Sequence, residues 1–271
     1  MLTLKEHCGI IYIYYDRLGV SMGLDVYCGT LIRYYSRNWL TSVQQWGIEN
    51  GFEVRMVREN DRDPASLEEI TAGVLGWKQQ LLRIFAPSLT KPVVWNEDNE
   101  ITPYYTNKPD WCAYYALLAY VCAHIVDKPL AQTIPKDYNF WKDPLYELYC
   151  SKEREGITLF ECEWWLPIAD EFMWKGYLPT GHERVVGTVG MLEWELEQIN
   201  SIEWKADEQT ILSWTDNEGY PDDAYYTGQK VQMEQIHTEY DTLSLAKFAY
   251  SIMYRAVKHS KENGTLIIID Y

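Results

Sequence analysis

"WCAYYALLAYVCAHIV", residues 111–126, is the stretch on which the reading of the fold turns. It is an apolar run of about 16 residues, short of the roughly 20 that a helix needs to cross a bilayer. Pro109 and Asp110 stand before it, and Asp127 and Lys128 after it, as helix-end residues do. Cys112, Ala116, Ala119 and Ala123 recur at helical spacing, and small residues in a row let a neighbouring element come close. The spacing predicts a long, buried, central helix over about 110–126, not a membrane span.

Upstream, CGIIYIYYD (8–16) is β-branched and aromatic and predicts a buried strand. LDVYCGTLIRYYS (24–36) is expected to return beside it, and GFEVRMV (51–57) to form another strand. Ser66, with Glu69 three residues on, opens a helix that Pro87 ends. Leu67, Ile70, Val74, Trp77, Leu81 and Phe85 form its apolar stripe.

Downstream, GITLFECEWWLPIADEF (156–172) and ERVVGTVGMLEWELEQI (183–199) predict strands. In the second, Leu192, Leu196 and Ile199 also fit a helical face, but Val-Val-Gly-Thr-Val favours strand for the first half. TDNEGYPDDAYYTG (215–228) has the composition of a loop. Leu245, Phe248, Ala249, Ile252 and Ala256 share one face of a last helix near 242–262, which Asn263-Gly264 terminates. TLIIIDY then ends the chain as a strand.

The expected class is α+β, with mixed or antiparallel sheet strands, the buried helix at about 110–126, and a C-terminal helix followed by a terminal strand. Pro129, Pro135 and Pro144 lie in an aperiodic stretch, 128–156. It predicts a boundary between an N-terminal lobe over 1–130 and an acidic C-terminal lobe over 150–271, with one domain over 1–271 as the alternative.

The chain has 271 residues, 47% hydrophobic and 24% charged, a globular composition that excludes general disorder. Its net charge of −16 is uneven: residues 155–241 hold 19 acids against 4 bases, whereas residues 1–135 net only −3. Such a surface steers a basic protein and repels nucleic acid, though acidity also serves plain solubility. Six scattered cysteines with no C-x-x-C spacing suggest free thiols and no zinc or redox site. The start, MLTLKEHCG, lacks a secretory core, so a reducing cytoplasm is the expected compartment.

Motifs for catalysis are incomplete. Gly19-Val20-Ser21-Met22-Gly23 matches the nucleophile elbow of hydrolases, but a β-rich segment follows where a helix is required. Glu234 and His237 make one E-x-x-H without the second that a di-iron site needs. His237 and Glu239 make an H-x-E without the cysteine pair of a zinc deaminase. His124 with Asp127, and His182 with Glu183, are no more specific. Phosphate-binding glycine loops are absent. No metal and no cofactor are expected.

The aromatics and acids say more. Twenty-two Tyr and 12 Trp stand against 6 Phe, and an apolar body with a polar tip suits interfaces. Glu193, Glu195 and Glu197 alternate with Leu192, Trp194 and Leu196, so a strand there would put all three carboxylates on one face. Trp214, Asp216, Glu218, Asp222, Asp223, Tyr225 and Tyr226 follow in and around the loop. These ten residues are the candidate partner-binding set, with Trp194, Trp204 and Tyr220 as further aromatic anchors.

In this acidic, Tyr- and Trp-rich character without catalytic motifs, the chain resembles immunity proteins, cytoplasmic inhibitors of bacterial toxins. The resemblance is one of composition. It implies stoichiometric binding of a basic toxin domain, with acidic groups steering and aromatic anchors buried at the centre. The rival readings are a hydrolase using Ser21 or a carboxylate/histidine site, and a structural or assembly protein of a phage or mobile element.

Overall fold

A computed structural model describes residues 6–7, 10–14, 23–57, 65–151, 156–221, 224–227, 230–233 and 237–271. The fold is α+β. Strands β1 (Glu6–His7), β2 (Ile10–Tyr14) and β3 (Asp25–Gly29) lead to helices α1 (Leu31–Ser36) and α2 (Ser42–Glu49), β4 (Glu53–Val57), α3 (Leu67–Phe85) and β5 (Tyr105–Asn107). Next come α4 (Asp110–Val126), β6 (Thr133–Pro135), α5 (Pro144–Cys150), α6 (Thr158–Glu161), β7 (Trp164–Leu166), β8 (Met173–Tyr177) and β9 (Glu183–Thr188). The chain ends with α7 (Val189–Ile202), α8 (Glu208–Asn217), β10 (Ala224–Thr227), β11 (Lys230–Met233), β12 (Glu239–Asp241), α9 (Thr242–Asn263) and β13 (Leu266–Asp270). No helix among the described residues is long and apolar enough to cross a membrane.

Two compact units interleave along the chain. The first comprises 1–108, 161–195 and 256–271, and the second 109–160 and 196–255.

The frame of the first unit is a six-stranded mixed sheet in the order β5-β3-β13-β7-β9-β8. Only the β7–β9 pair is parallel in it. The last strand of the chain, β13, lies inside, with Ile268 opposite Tyr27 on one side and Trp164 on the other. Its Leu-Ile-Ile-Ile run is buried throughout, as a strand covered on both faces requires. Helix α3 opens with the expected capping box, in which Glu69 N donates to Ser66 Oγ (3.2 Å) and Ser66 N to the Glu69 carboxylate (2.8 Å). Its Val74 and Leu81 enter a core with Trp95, Trp164, Leu178 and Val186.

Glu97 ties α1 to this core. Its carboxylate accepts from Ile32 N (3.1 Å) and Trp95 Nε1 (2.7 Å). Burial lifts its pKa above the ordinary carboxylate value, against the pull of those hydrogen bonds and of Lys78.

In the second unit α4 is the expected buried helix, with 12 of its 17 residues inside. Ala116, Ala119 and Ala123 are buried, while Cys112 is half-buried. Cys122 Sγ on α4 donates to Leu145 O on α5 at 3.2 Å. β6 pairs with β12, and β10 with β11.

Several local expectations need correction. β3 does not return beside β2, which pairs with β1 and β4. The chain leaves β3 at Gly29, where a Cβ would lie 2.4 Å from Tyr27 Oη. Thr30 then caps α1 by accepting from Arg33 N at 3.2 Å, so 31–36 is helix and not strand. The segment 156–172 holds the short α6 and only three strand residues, 164–166. The expected loop at 215–228 gives its start to α8 and residues 224–227 to β10. Of the elbow motif only Gly23 lies within the described residues.

Candidate interaction surface

The stretch with the alternating glutamates is a helix. Thr188, the last residue of β9, accepts at its hydroxyl from Met191 N (3.2 Å) and so starts α7. Gly190 N donates to Ile168 O at 3.0 Å, an approach so close that a Cβ on Gly190 would lie 2.3 Å from Ala169 O. Leu192, Leu196 and Ile199 are buried, which is the helical face and not the alternating one.

Glu195 therefore parts from Glu193 and Glu197, because two residues of helix turn a side chain about 200°. Glu195 points inward and is 4% exposed, whereas Trp194, which alternation would bury, is 43% exposed. Glu193 pairs with Lys261 in the first unit. Glu197 is exposed and belongs to the second unit.

The aromatic anchors are mostly occupied within the second unit. Trp204 stacks on Tyr120 (centroids 4.5 Å apart, planes 19°) and meets Trp214 and Tyr250 edge-on. Trp214 is buried, with the Lys247 ammonium 5.7 Å from its ring centroid. Tyr220 donates its hydroxyl to Pro109 O and accepts from Ala113 N, a tie to the start of α4. Glu218 is half-buried and pairs with Lys247 at 3.0 Å. Tyr225 and Tyr226 lie on β10, opposite Gln232 and Val231 of β11. Asp222 and Asp223 lie outside the described residues.

What remains accessible is a run along the end of α7, the turn after it, and α8. Glu197, Glu203, Asp207, Glu208 and Asp216 are all exposed there, with Lys205 the one exposed cation between 196 and 218. The turn is fixed from inside. Asn200 bridges it, donating from Nδ2 to Ala206 O (2.9 Å) and accepting at Oδ1 from Ala206 N (3.0 Å). Lys205 takes a left-handed φ of 46° within it. Asp207 caps α8 by accepting from Thr210 N (2.8 Å), and hydrogen bonding by the Thr210 side chain and backbone holds its carboxyl below the ordinary value. Arg255 braces the far end of α8 through Leu212 O and Thr215 Oγ1.

Reasoning from sequence does not single out Glu203, Asp207 or Glu208. The available signal is Asp207 followed directly by an acidic first turn, a helix N-terminus signature.

Of the E-x-x-H pair, Glu234 lies outside the described residues. His124 Nε2 lies 3.7 Å from Glu203, which also accepts from Tyr120 Oη at 3.4 Å. His182 Nδ1 lies 3.2 Å from Thr180 Oγ1 in its turn. Burial pushes the thiols of Cys28 and Cys112 up to about 12 and about 11, away from nucleophilic use at neutral pH. Burial, with Glu195 and its acidic neighbours, raises Cys162 as well. No group of three metal-binding side chains occurs among the described residues. Comparison with known protein families, characterised proteins and solved structures finds no match for this chain.

Proposed function

We propose that the protein acts by stoichiometric binding of a basic protein, through the exposed carboxylates on α7, α8 and the turn between them. The physiological form of this reading is an immunity-type inhibitor in the cytoplasm that neutralises a basic bacterial toxin. The observation that carries it is the exposure of Glu197, Glu203, Asp207, Glu208 and Asp216, with Lys205 the one exposed cation between 196 and 218. The clamp at Asn200 and the Tyr120–Trp204–Trp214 stack support it further, since a surface already ordered loses less entropy on binding. Asp222, Asp223, Tyr225 and Tyr226, which follow α8 in sequence, remain in the proposed binding set. Glu195, being interior, drops out of it.

The test combines capture from the native host with association kinetics at two salt concentrations. A triple variant, Glu203→Lys with Glu208→Lys and Asp216→Lys, is compared with the parent chain. A basic partner is expected, with association slowed about tenfold or more by the reversal and by added salt. An acidic partner, or kinetics indifferent to both changes, refutes the reading.

A further inference from the structure

The outward face of α3 points to a second copy of this chain. Six exposed residues, Glu68, Ala72, Leu75, Gly76, Gln79 and Arg83, fall within an arc of roughly 100° at helical spacing. Core residues Val74 and Leu81 lie on the opposite side. A solvated helix face normally carries charge along its length. Here the exposed positions between Glu69 and Arg83 carry none: Ala72, Gly73, Leu75, Gly76, Gln79 and Gln80. Leu75 is 37% exposed, and Ile84 on the flank is 58% exposed. That flank opens on a groove of about 620 Å³ between α3 and the β8 edge of the sheet.

We propose that two copies pack α3 against α3 antiparallel, about a two-fold axis between Leu75 and Gly76. In this one register Leu75 lies opposite Gly76 of the second copy, Gln79 opposite Ala72, and Glu68 opposite Arg83. Each larger side chain faces a smaller one, and each acid faces a base, twice over by symmetry. The charges thus select the occupant: the acidic start of the face complements its own basic end only when a second copy runs in reverse. Antiparallel helix dipoles agree with the same arrangement. Gly76 fits this role and no internal one, because a Cβ there would meet nothing within 4 Å. Glycine weakens an exposed helix relative to alanine, and on this face it leaves room for the close approach of another backbone.

Sedimentation equilibrium of the full chain tests the proposal. The parent protein is expected to reach a dimer as concentration rises. Gly76→Gln should weaken dimerisation about tenfold or more, with an unchanged or higher melting temperature. Glu68→Arg should weaken it likewise, and adding Arg83→Glu should restore it. A chain that stays monomeric at its highest soluble concentration overturns the proposal. So does a dimer that ignores Gly76→Gln, or a double charge swap that fails to rescue the single one.

Discussion

Gly190→Ala and Gly73→Ala are the same chemical change in two helices, and they should move stability in opposite directions. At Gly190 the new Cβ would lie 2.3 Å from Ala169 O and 2.6 Å from Ala169 C, both backbone atoms with no rotamer to give way. The first turn of α7 must retreat, which stretches the 3.0 Å bond from Gly190 N to Ile168 O. It also pulls on Thr188, whose hydroxyl donates to Asp170 O at 2.6 Å. Overpacking of this kind costs about 1–3 kcal/mol, and a lost hydrogen bond about 1 more. Alanine's better helix propensity returns about 1 kcal/mol. The net is a loss of about 1–3 kcal/mol, a drop in melting temperature of about 3–10 °C for a chain of this size. At Gly73 a Cβ meets nothing within 4 Å, so only propensity acts, and the melt should rise by about 1–4 °C. Calorimetric melts of the two variants beside the parent, at one pH and concentration, decide the matter. Gly190→Ala melting at or above the parent, or Gly73→Ala melting below it, would refute the reasoning.

Other substitutions probe the remaining arguments. Ala119→Leu should overpack the buried face of α4 and cost about 1–3 kcal/mol by urea denaturation, and a midpoint equal to the parent's would place that stripe in solvent. Glu97→Gln keeps one acceptor but turns an amide N–H toward a donor, Ile32 N or Trp95 Nε1, so a loss of about 1–3 kcal/mol is expected. Asp270→Asn should do the reverse. Burial raises the Asp270 pKa above its ordinary value of 3.8, against the Tyr34 hydrogen bond and Arg37. The folded state therefore takes up a proton, and stability falls as pH climbs from 3.8 through the raised value. Asparagine still accepts from Tyr34 Oη and removes the charge opposite Asp25. The variant should melt above the parent at neutral pH, with the gap closing below pH 3.8; a gap that persists in acid would count against a titrating carboxyl.

Long elements with a consistent period were legible, as were short strands rich in β-branched residues; the shortest elements and the pairing of strands were not. The helix at 110–126 announces itself because every residue between its polar ends except His124 is apolar or small. Ser66 with Glu69, and Asn263-Gly264 at the far end of α9, mark helix ends by local chemistry that needs no knowledge of the rest of the fold. The β13 strand is β-branched enough to allow nothing else. Pairing, by contrast, is not local. β3 has β13 as its neighbour, more than 200 residues later, and nothing in LDVYCG distinguishes that partner from the nearer β2. The turn into α1 hinges on Tyr27 filling the space beside Gly29, a contact made only once the strand is in place.

The stretch 189–199 shows what a wrong period does to a functional argument. Over five residues, Glu-Trp-Glu-Leu-Glu satisfies alternation perfectly well; over eleven, the spacing of Leu192, Leu196 and Ile199 satisfies only a helix. The longer pattern wins because it is the one that buries area. The count of charges in 155–241 does not depend on that choice, but which carboxylates water can reach does. In the helix, Glu193 is taken by Lys261 and Glu195 turns into the interior, leaving Glu197 alone of the three. The weight of the acidic surface thus moves along the chain to Glu203, Asp207, Glu208 and Asp216, where an N-cap and a clamped turn keep carboxylates outward. A charge reversal at Glu195 would therefore report on folding, since it places an ammonium in the core. Reversal at Glu203 or Glu208 tests the proposed binding. Only the second kind of variant bears on what the protein does.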